Sequence, residues 1–227
     1  MKIKNKIIFY IFIALLMLPG CEKKQMPQMD LRAFLPLESN AKKYIYKIMT
    51  KNESSSHGKS MGKYFYQERV VTSRDHACVY MDEYVIFDEQ DMSQMSDGLK
   101  NEIKENKLAN GSLKFCADSE RIFYDGYLVL YQDNGDWVVE VEWNPATGEE
   151  KKIQAKCHFI SLFNEIVLGK KRNVIHTQCQ YEIYSGVSNS DDWFIAEGLG
   201  LYKHIMTMDD KNTDSHGTIT TLLVSYK

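Results

Sequence analysis

The chain has 227 residues, of which 44% are hydrophobic and 26% are charged, and these fractions are close to the averages of globular domains. They exclude a wholly disordered chain, a collagen and a coiled coil, and the length suits a single β domain. The formal net charge of −3 gives no electrostatic reason to expect nucleic acid as a partner.

The first twenty residues have the pattern of an export signal. Lys2, Lys4 and Lys6 precede an unbroken apolar run from Ile7 to Leu18. As a helix, this run would reach about 18 Å, well short of the ~30 Å hydrocarbon core of a bilayer. A buried core helix is the alternative, but a helix without a polar face at the chain end has no evident cover. A basic stretch before a short apolar run therefore predicts a signal peptide over 1–20.

The tetrapeptide Leu18-Pro19-Gly20-Cys21 follows the apolar run. It resembles the lipobox of bacterial lipoproteins, apart from Pro19, where Ala or Ser is usual. The resemblance implies that Cys21 becomes the first residue of the mature chain and carries a diacylglycerol on its sulfur. Two or more acyl chains would anchor the protein stably without spanning the membrane. Glu22 replaces the Asp that favours inner-membrane retention in such proteins, which implies the outer membrane where a cell has one; a secreted soluble protein is the alternative.

Cleavage would make the chain more acidic. Residues 1–20 contain three lysines and no acids, so 28 Lys and Arg fall to 25 against 31 Asp and Glu, a net charge of −6. Such a chain is not attracted to anionic lipids, so the lipid alone would hold it at the membrane. We predict a polar tether over 21–33 and one β domain over 34–227. The protein would lie in the cell envelope, facing the periplasm or the cell surface.

Alternation of apolar and polar residues dominates the sequence after residue 40 and predicts β-strands. Tyr44, Tyr46 and Ile48 share one face of a first strand, and residues 137–143 alternate in the same way. Such alternation is typical of antiparallel sheets with one face in water. The other predicted strands are 61–72, 76–87, 112–117, 120–125, 127–132, 150–160, 163–168, 173–184, 201–208 and 217–226. The predicted fold is mainly β: a single antiparallel meander that forms a curved sheet or half-barrel, with one short surface helix.

The predicted connections are turns and short loops. Asp133-Asn134-Gly135-Asp136 predicts a type I′ hairpin between its flanking strands, because the central residues tolerate positive φ. Ser96 as an N-cap, with Leu99 and Ile103 four residues apart, predicts the helix over 97–107. Asn110-Gly111 predicts a turn into the next strand. The predicted loops are 51–60, 144–149, 185–192 and 209–216.

Four cysteines remain after the lipidated one: Cys78, Cys116, Cys157 and Cys179. An even number in an exported chain predicts disulfides, and four cysteines allow three pairings. We favour Cys78–Cys116 with Cys157–Cys179, because the second pair flanks a predicted hairpin turn at Gly169-Lys170.

The second pair also raises a zinc site as an alternative. Cys157-His158 and His176-x-x-Cys179 supply two thiols and two imidazoles. Neighbouring residues on a strand point to opposite faces, so Cys157 and His158 would diverge. The six histidines are scattered, with none at the i, i+4 spacing of a metal-binding helix. We therefore predict no metal ligands and no catalytic residues.

The segment from Trp193 to Lys203 contains Gly198-x-Gly200. It lacks the third glycine of a dinucleotide-binding loop, so we predict no cofactor and interpret Gly198 and Gly200 as a structural turn. The segment resembles a W-x-A-x-G-x-G-L-x-K signature near the C-terminus of uncharacterised bacterial envelope lipoproteins, which also share Phe34-Leu35-Pro36-Leu37. This resemblance implies a β-rich exported domain and carries no activity with it.

Our leading hypothesis is a non-enzymatic, membrane-anchored envelope lipoprotein with a binding or assembly role. Its partners would be the membrane, through the lipid anchor, and either an apolar ligand or another envelope protein. A membrane-tethered periplasmic hydrolase and a metal-binding module are the alternatives.

Overall fold

The computed structural model describes residues 26–37, 41–54, 61–87, 107–132, 135–143 and 151–227. The predicted signal peptide and Cys21 lie outside these ranges. Among the described residues, no helix is long and apolar enough to cross a membrane.

The described residues form one short 3-10 helix, Leu31–Phe34, and twelve strands. The strands are β1 (Lys43–Ser54), β2 (Met61–Arg74), β3 (Cys78–Ile86), β4 (Lys107–Ala117), β5 (Arg121–Tyr124), β6 (Tyr127–Tyr131), β7 (Asp136–Trp143), β8 (Lys151–Val167), β9 (Lys170–Tyr184), β10 (Val187–Ala196), β11 (Gly200–Asp210) and β12 (Ser215–Tyr226).

All twelve strands belong to one antiparallel sheet, which is nearly closed on itself. Strands β1 to β6 run outward in sequence order, β7 to β12 run back, and the two halves join where β1 pairs with β12. The edge strands are therefore β6 and β7. They face each other closely enough for Trp137 Nε1 to donate a hydrogen bond to the carbonyl oxygen of Leu128, at 3.2 Å. The predicted mainly β, antiparallel fold is confirmed.

The predicted hairpin at Asp133-Asn134-Gly135-Asp136 is wrong. Within the described residues, β6 pairs only with β5 and β7 pairs only with β8. A tight turn does connect β5 with β6, at Asp125 and Gly126, whose φ angles of 50° and 86° are both positive. The alternation on either side of Asn-Gly shows that two strands are present, but their partners lie elsewhere in the sheet.

Several predicted boundaries also change. Asn110-Gly111 is a bulge inside β4, because Glu83 pairs with Gly111 and the next residue pairs with Ala109. Predicted strands 150–160 and 163–168 are one strand, β8, whose register shifts near Phe159. The prediction of a loop over 185–192 is wrong, because β10 begins at Val187.

The remaining predicted connections are shorter than expected or lie outside the described residues. Loop 209–216 contracts to a turn over 211–214, and Lys51–Ser54 of loop 51–60 belong to β1. The turn predicted at Gly169-Lys170 occupies Leu168 and Gly169. The predicted helix over 97–107 lies outside the described residues, apart from Lys107, which begins β4; loop 144–149 also lies outside them.

The chain ahead of β1 packs into the sheet. Met26, Leu31, Phe34 and Leu35 are all buried and belong to the same apolar cluster as the strands. The side-chain amide of Gln132 donates to the carbonyl oxygen of Pro27 at 2.9 Å. Because burial of each large apolar side chain contributes about 1.5–3 kcal/mol, this segment is part of the fold. The predicted tether over 21–33 therefore overlaps the packed domain from Met26 onward.

The turn between β10 and β11 holds this N-terminal segment. Gly198 N donates to the carbonyl oxygen of Ala33 at 2.8 Å, and the Gly198 carbonyl accepts from Leu37 N at 3.0 Å. Leu199 is fully buried. Gly200 has a φ of 70°, and a Cβ added there would lie 3.1 Å from Pro36 Cδ. The glycine turn and the segment at 34–37 are thus packing partners.

Two disulfides link neighbouring strands. Cys78–Cys116 joins β3 to β4, and Cys157–Cys179 joins β8 to β9, each with a Cα–Cα distance of 4.0 Å. These are the pairs that the sequence favoured. The first bridge is half-buried on the outer face, whereas the second is buried on the concave face.

Replacing Gly200 by alanine tests the packing of this turn. We expect Gly200→Ala to cost about 1 kcal/mol more of the free energy of unfolding than Gly169→Ala, because both strain a positive φ but only Gly200 also meets Pro36. Urea denaturation followed by tryptophan fluorescence measures both. Gly169, at φ 80° with open space around it, is the matched control. Equal losses in the two variants would contradict the packing.

Candidate functional site

The concave side of the sheet contains a buried charge, Arg69 on β2. Its Nε donates to Glu83 Oε1 at 2.7 Å, and its Nη2 donates to Gln67 Oε1 at 3.2 Å. The guanidinium carbon lies 4.1 Å from the ring centroid of Tyr46 and 5.4 Å from that of Tyr124. Only 4% of Arg69 is exposed. The guanidinium is therefore enclosed by an acid, an amide and two aromatic rings.

These neighbours keep Arg69 charged. Burial acts to lower the pKa of Arg69, but Tyr124, Tyr46 and Glu83 together raise it above its ordinary value. Burial raises the pKa of Tyr46 and of Tyr124, so both phenols stay neutral. Arg69 and Glu83 thus form an internally neutral pair, which serves the packing of β2 against β3.

Removal of one partner from this pair should destabilise the protein. We expect Arg69→Met to cost about 3 kcal/mol, because it leaves the Glu83 carboxylate half-buried without its cation. The double variant Arg69→Met with Glu83→Leu should regain most of that loss, since neither charge then remains. Urea denaturation of the three proteins measures the recovery. A double variant that is no more stable than Arg69→Met would show that Arg69 contributes mainly through its other contacts.

A cavity of about 260 Å³ lies beside the facing edge strands, and we call it the edge pocket. Its aliphatic wall comes from β6, β7 and β8. The residues of this wall are Leu128, Val129, Val139, Val141 and Ala155. Alternation along β7 separates Val139, which packs inward, from Val138, which is 58% exposed on the opposite face. The pocket therefore lies on the concave face of the sheet, beside the gap between the edge strands β6 and β7.

The opposite wall of the edge pocket is aromatic and polar. Trp193 on β10 pairs with His204 on β11, and their rings stack with centroids 4.0 Å apart. The ring of Tyr124 lies 5.3 Å from that of Trp193. His204 Nε2 is 2.9 Å from Asp191 Oδ1. Because Asp191 and Trp193 are two residues apart on one strand, both point to the concave face.

Asp191 also acts on Tyr181, which lines the same pocket. Burial and then the nearby Asp191 carboxylate raise the pKa of Tyr181 to about 12. The phenol therefore keeps its proton at neutral pH. Asn189 Nδ2 donates to its oxygen at 3.2 Å.

The outer face of β10 carries a second histidine–aspartate pair. His176 Nε2 lies 2.7 Å from Asp192 Oδ1, and the ring of Phe194 stacks on His176 at 4.2 Å. Consecutive residues of β10 thus place equivalent pairs on opposite faces. The inner pair, His204 with Asp191, lines the edge pocket.

Of the described residues that the sequence predicted as disulfide or turn positions, one lines the edge pocket. Cys179 lines the pocket, but its sulfur is bonded to that of Cys157. The zinc alternative is therefore wrong for the oxidised protein, and the described residues contain no group of three or more metal-ligating side chains. Gly198 and Gly200 hold the N-terminal segment, and Cys21 lies outside the described ranges.

The sequence did not point to Tyr124, Asp191 or His204 as site residues, and it singled out Trp193 only as the start of the lipoprotein-like signature. The usable signal was the alternation of Asp191 with Trp193, but the polar start of β10 made residues 185–192 look like a loop. Two serine signatures were also overlooked: Gly58-Lys59-Ser60-Met61-Gly62 reads as G-x-S-x-G, and Ser56 with Lys59 reads as S-x-x-K.

The G-x-S-x-G sequence is not in the structural context that this catalytic motif requires. A nucleophile elbow lies at a turn from a strand into a helix, whereas Met61 and Gly62 begin strand β2. Residues 55–60, which include Ser60, lie outside the described ranges.

No protein-family model and no curated protein matches the chain. Among solved structures, it is similar to a provisionally assigned lipoprotein of Parabacteroides distasonis, with a TM-score of 0.38 and 8% identity over 89% of this chain and 100% of that one. It is also similar to the hypothetical lipoprotein YmcC from Escherichia coli, with a TM-score of 0.33 and 8% identity over 96% and 97% of the two chains.

A third similar structure is a provisionally assigned exported protein with a YmcC-like fold from Bacteroides fragilis. Its TM-score is 0.32, with 7% identity over 80% of this chain and 95% of that one. TM-scores and identities this low carry no function from one protein to another.

Proposed function

We propose that the protein is a lipid-anchored, non-enzymatic protein of the bacterial cell envelope that binds a small apolar ligand in the edge pocket. The observation that carries the proposal is the pocket itself. Small-molecule sites are concave and mostly apolar, with a few converging polar groups. The edge pocket joins an aliphatic wall to three such groups: the His204 imidazole, the Asp191 carboxylate and the Tyr181 phenol.

The location of the protein is proposed from its sequence and its disulfides. The basic and apolar N-terminal segment ends in the lipobox-like sequence before Cys21. Two disulfides between strands are typical of proteins in an oxidising compartment such as the periplasm, which supports this location. With a net charge of −6 after cleavage, the chain would depend on its acyl chains for attachment. In a cell with two membranes, Glu22 favours the outer one.

The chemistry of the pocket supports binding over hydrolysis. His204 with Asp191 resembles the base and its orienting acid in a hydrolytic triad, which also needs a nucleophile. Among the described residues that line the pocket there is no serine, threonine or unbridged cysteine. Tyr181 is a poor substitute, because its pKa of about 12 keeps the phenol protonated. The hydrolase hypothesis therefore lacks its reacting atom at this site.

Filling the pocket should weaken ligand binding. We expect the neutral probe N-phenyl-1-naphthylamine to show saturable fluorescence enhancement with the wild-type protein. Val139→Phe should weaken that binding about tenfold or more, because the added ring occupies part of the 260 Å³ cavity. Val138→Phe adds the same ring to the exposed face of the same strand and should leave the affinity unchanged.

Two results would overturn ligand binding at this site. One is the absence of saturable binding by the wild-type protein. The other is equal affinity in Val139→Phe and the wild type, with both proteins showing the same unfolding midpoint.

Removal of Cys21 tests the anchor. We expect Cys21→Ser to move the protein from the membrane fraction to the soluble or unprocessed fraction, because the sulfur that would carry the lipid is absent. The intact mass of the wild-type protein should show loss of residues 1–20, added acyl mass and four hydrogens fewer than the fully reduced chain. A Cys21→Ser protein in the same membrane fraction at wild-type size would contradict the anchor.

A further inference from the structure

Apart from one histidine, the residues that line the edge pocket are neutral or negatively charged. Asp125 and Asp191 contribute two carboxylates, and among the described residues that line the pocket there is no lysine or arginine. His204 is the one lining residue that can take a positive charge. Even with His204 protonated, these groups sum to a net negative charge, in which Asp191 is buried in the wall and Asp125 is exposed at the turn between β5 and β6.

The aromatic residues of the pocket add to this negative field. Trp193, Tyr124, Tyr127 and Tyr181 all line it. The faces of aromatic rings attract cations, and the attraction grows when water is excluded. One face of Trp193 is covered by the His204 ring, so a cation would meet its other face or the tyrosine rings. The guanidinium carbon of Arg69 lies 5.4 Å from the centroid of the Tyr124 ring, but Arg69 is not among the residues that line the pocket.

Arg69 does not cancel the charge of the pocket. Its Nε is bonded to Glu83 Oε1 at 2.7 Å, and the two charges neutralise each other. The carboxylates of Asp125 and Asp191 are therefore additional to that balanced pair. A ligand that brings a positive charge would balance what the protein itself leaves unbalanced.

The aliphatic wall restricts which cation fits. A small metal ion is strongly hydrated and needs several oxygen, nitrogen or sulfur ligands, and the described residues offer no group of three such side chains. An ammonium group with alkyl or aryl substituents is weakly hydrated and can contact both Val139 and Trp193. A cavity of about 260 Å³ suits a ligand with roughly ten to seventeen non-hydrogen atoms.

We propose that the edge pocket is selective for small organic cations, in which an ammonium group is attached to an apolar or aromatic body. The ammonium would lie between Asp191 and the aromatic rings, and the apolar body against the wall formed by β6 and β7. This inference rests on the proposed ligand-binding function and adds the charge of the ligand to it.

A pair of isosteric ligands tests the inference. Phenyltrimethylammonium and tert-butylbenzene have the same shape and differ in one charge. With the full chain in a nonionic detergent, calorimetric titration should give an affinity for phenyltrimethylammonium about tenfold or more above that for tert-butylbenzene, because cation–π and charge interactions act on the cation alone. Because tert-butylbenzene enters micelles far more than the charged ligand does, the partition of each ligand into protein-free micelles is measured first, and affinities are compared for the free ligand.

Two aspartates on one strand provide a matched pair of variants. Asp191→Asn should weaken binding of the cation about tenfold and leave tert-butylbenzene unchanged. Asp192→Asn removes the same charge on the opposite face, beside His176, and should bind both ligands as the wild type does. Should Asp191→Asn fail to fold, Asp125→Asn replaces it, because asparagine tolerates the φ of 50° at that turn.

The outcomes separate this inference from the proposed function. Equal or tighter binding of tert-butylbenzene would overturn selectivity for cations and leave an apolar site in place. Binding of N-phenyl-1-naphthylamine without binding of phenyltrimethylammonium would do the same. Failure of all three compounds to bind would overturn the proposed function as well. An equal loss in Asp191→Asn and Asp192→Asn would show that the effect is not local to the pocket and would overturn the inference.

Discussion

The pairing of β1 with β12 is the constraint on which the rest of the structure depends. It joins the two halves of the chain, so that strands next to the ends of the domain lie in the middle of the sheet. The edges must then come from the middle of the chain, at β6 and β7. Because the sheet curves, these edges approach each other without forming a ladder, and the edge pocket lies beside the opening. The site thus results from the topology as much as from its side chains.

Local patterns predicted the class of fold but not this topology. Alternation identified most strands, because it comes from residues that are near in sequence, and the hairpin turn predicted at Gly169-Lys170 favoured the pairing of Cys157 with Cys179. The partner of a strand is set by contacts across the whole chain, so the hairpin expected at Asn134-Gly135 was wrong. The polar side chains of β10 concealed the site in a similar way. Asp191 faces inward, where an apolar residue is usual. Its alternation with Trp193 indicates a site only when the pairing of β10 with β11, which brings His204 beside Trp193, is known.

The charged side chains of the interior differ in how fully neighbouring groups compensate them. Arg69 is enclosed with Glu83, two phenols and an amide, and every charge there has a counterpart. Asp191 has a histidine beside it, yet it lies at the wall of a cavity next to Asp125. Buried charges are costly unless they are compensated. The first arrangement stabilises the fold, whereas the second leaves a charge that a bound molecule could compensate.

The disulfide between Cys157 and Cys179 affects when the wall of the edge pocket is complete. Cys179 forms part of the pocket wall, and its sulfur is positioned by the bond to the neighbouring strand. In a newly made chain that has not left the reducing cytosol, both thiols would be separate and that part of the wall would lack its covalent brace. Formation of the bridge outside the cytosol would therefore complete this wall of the cavity.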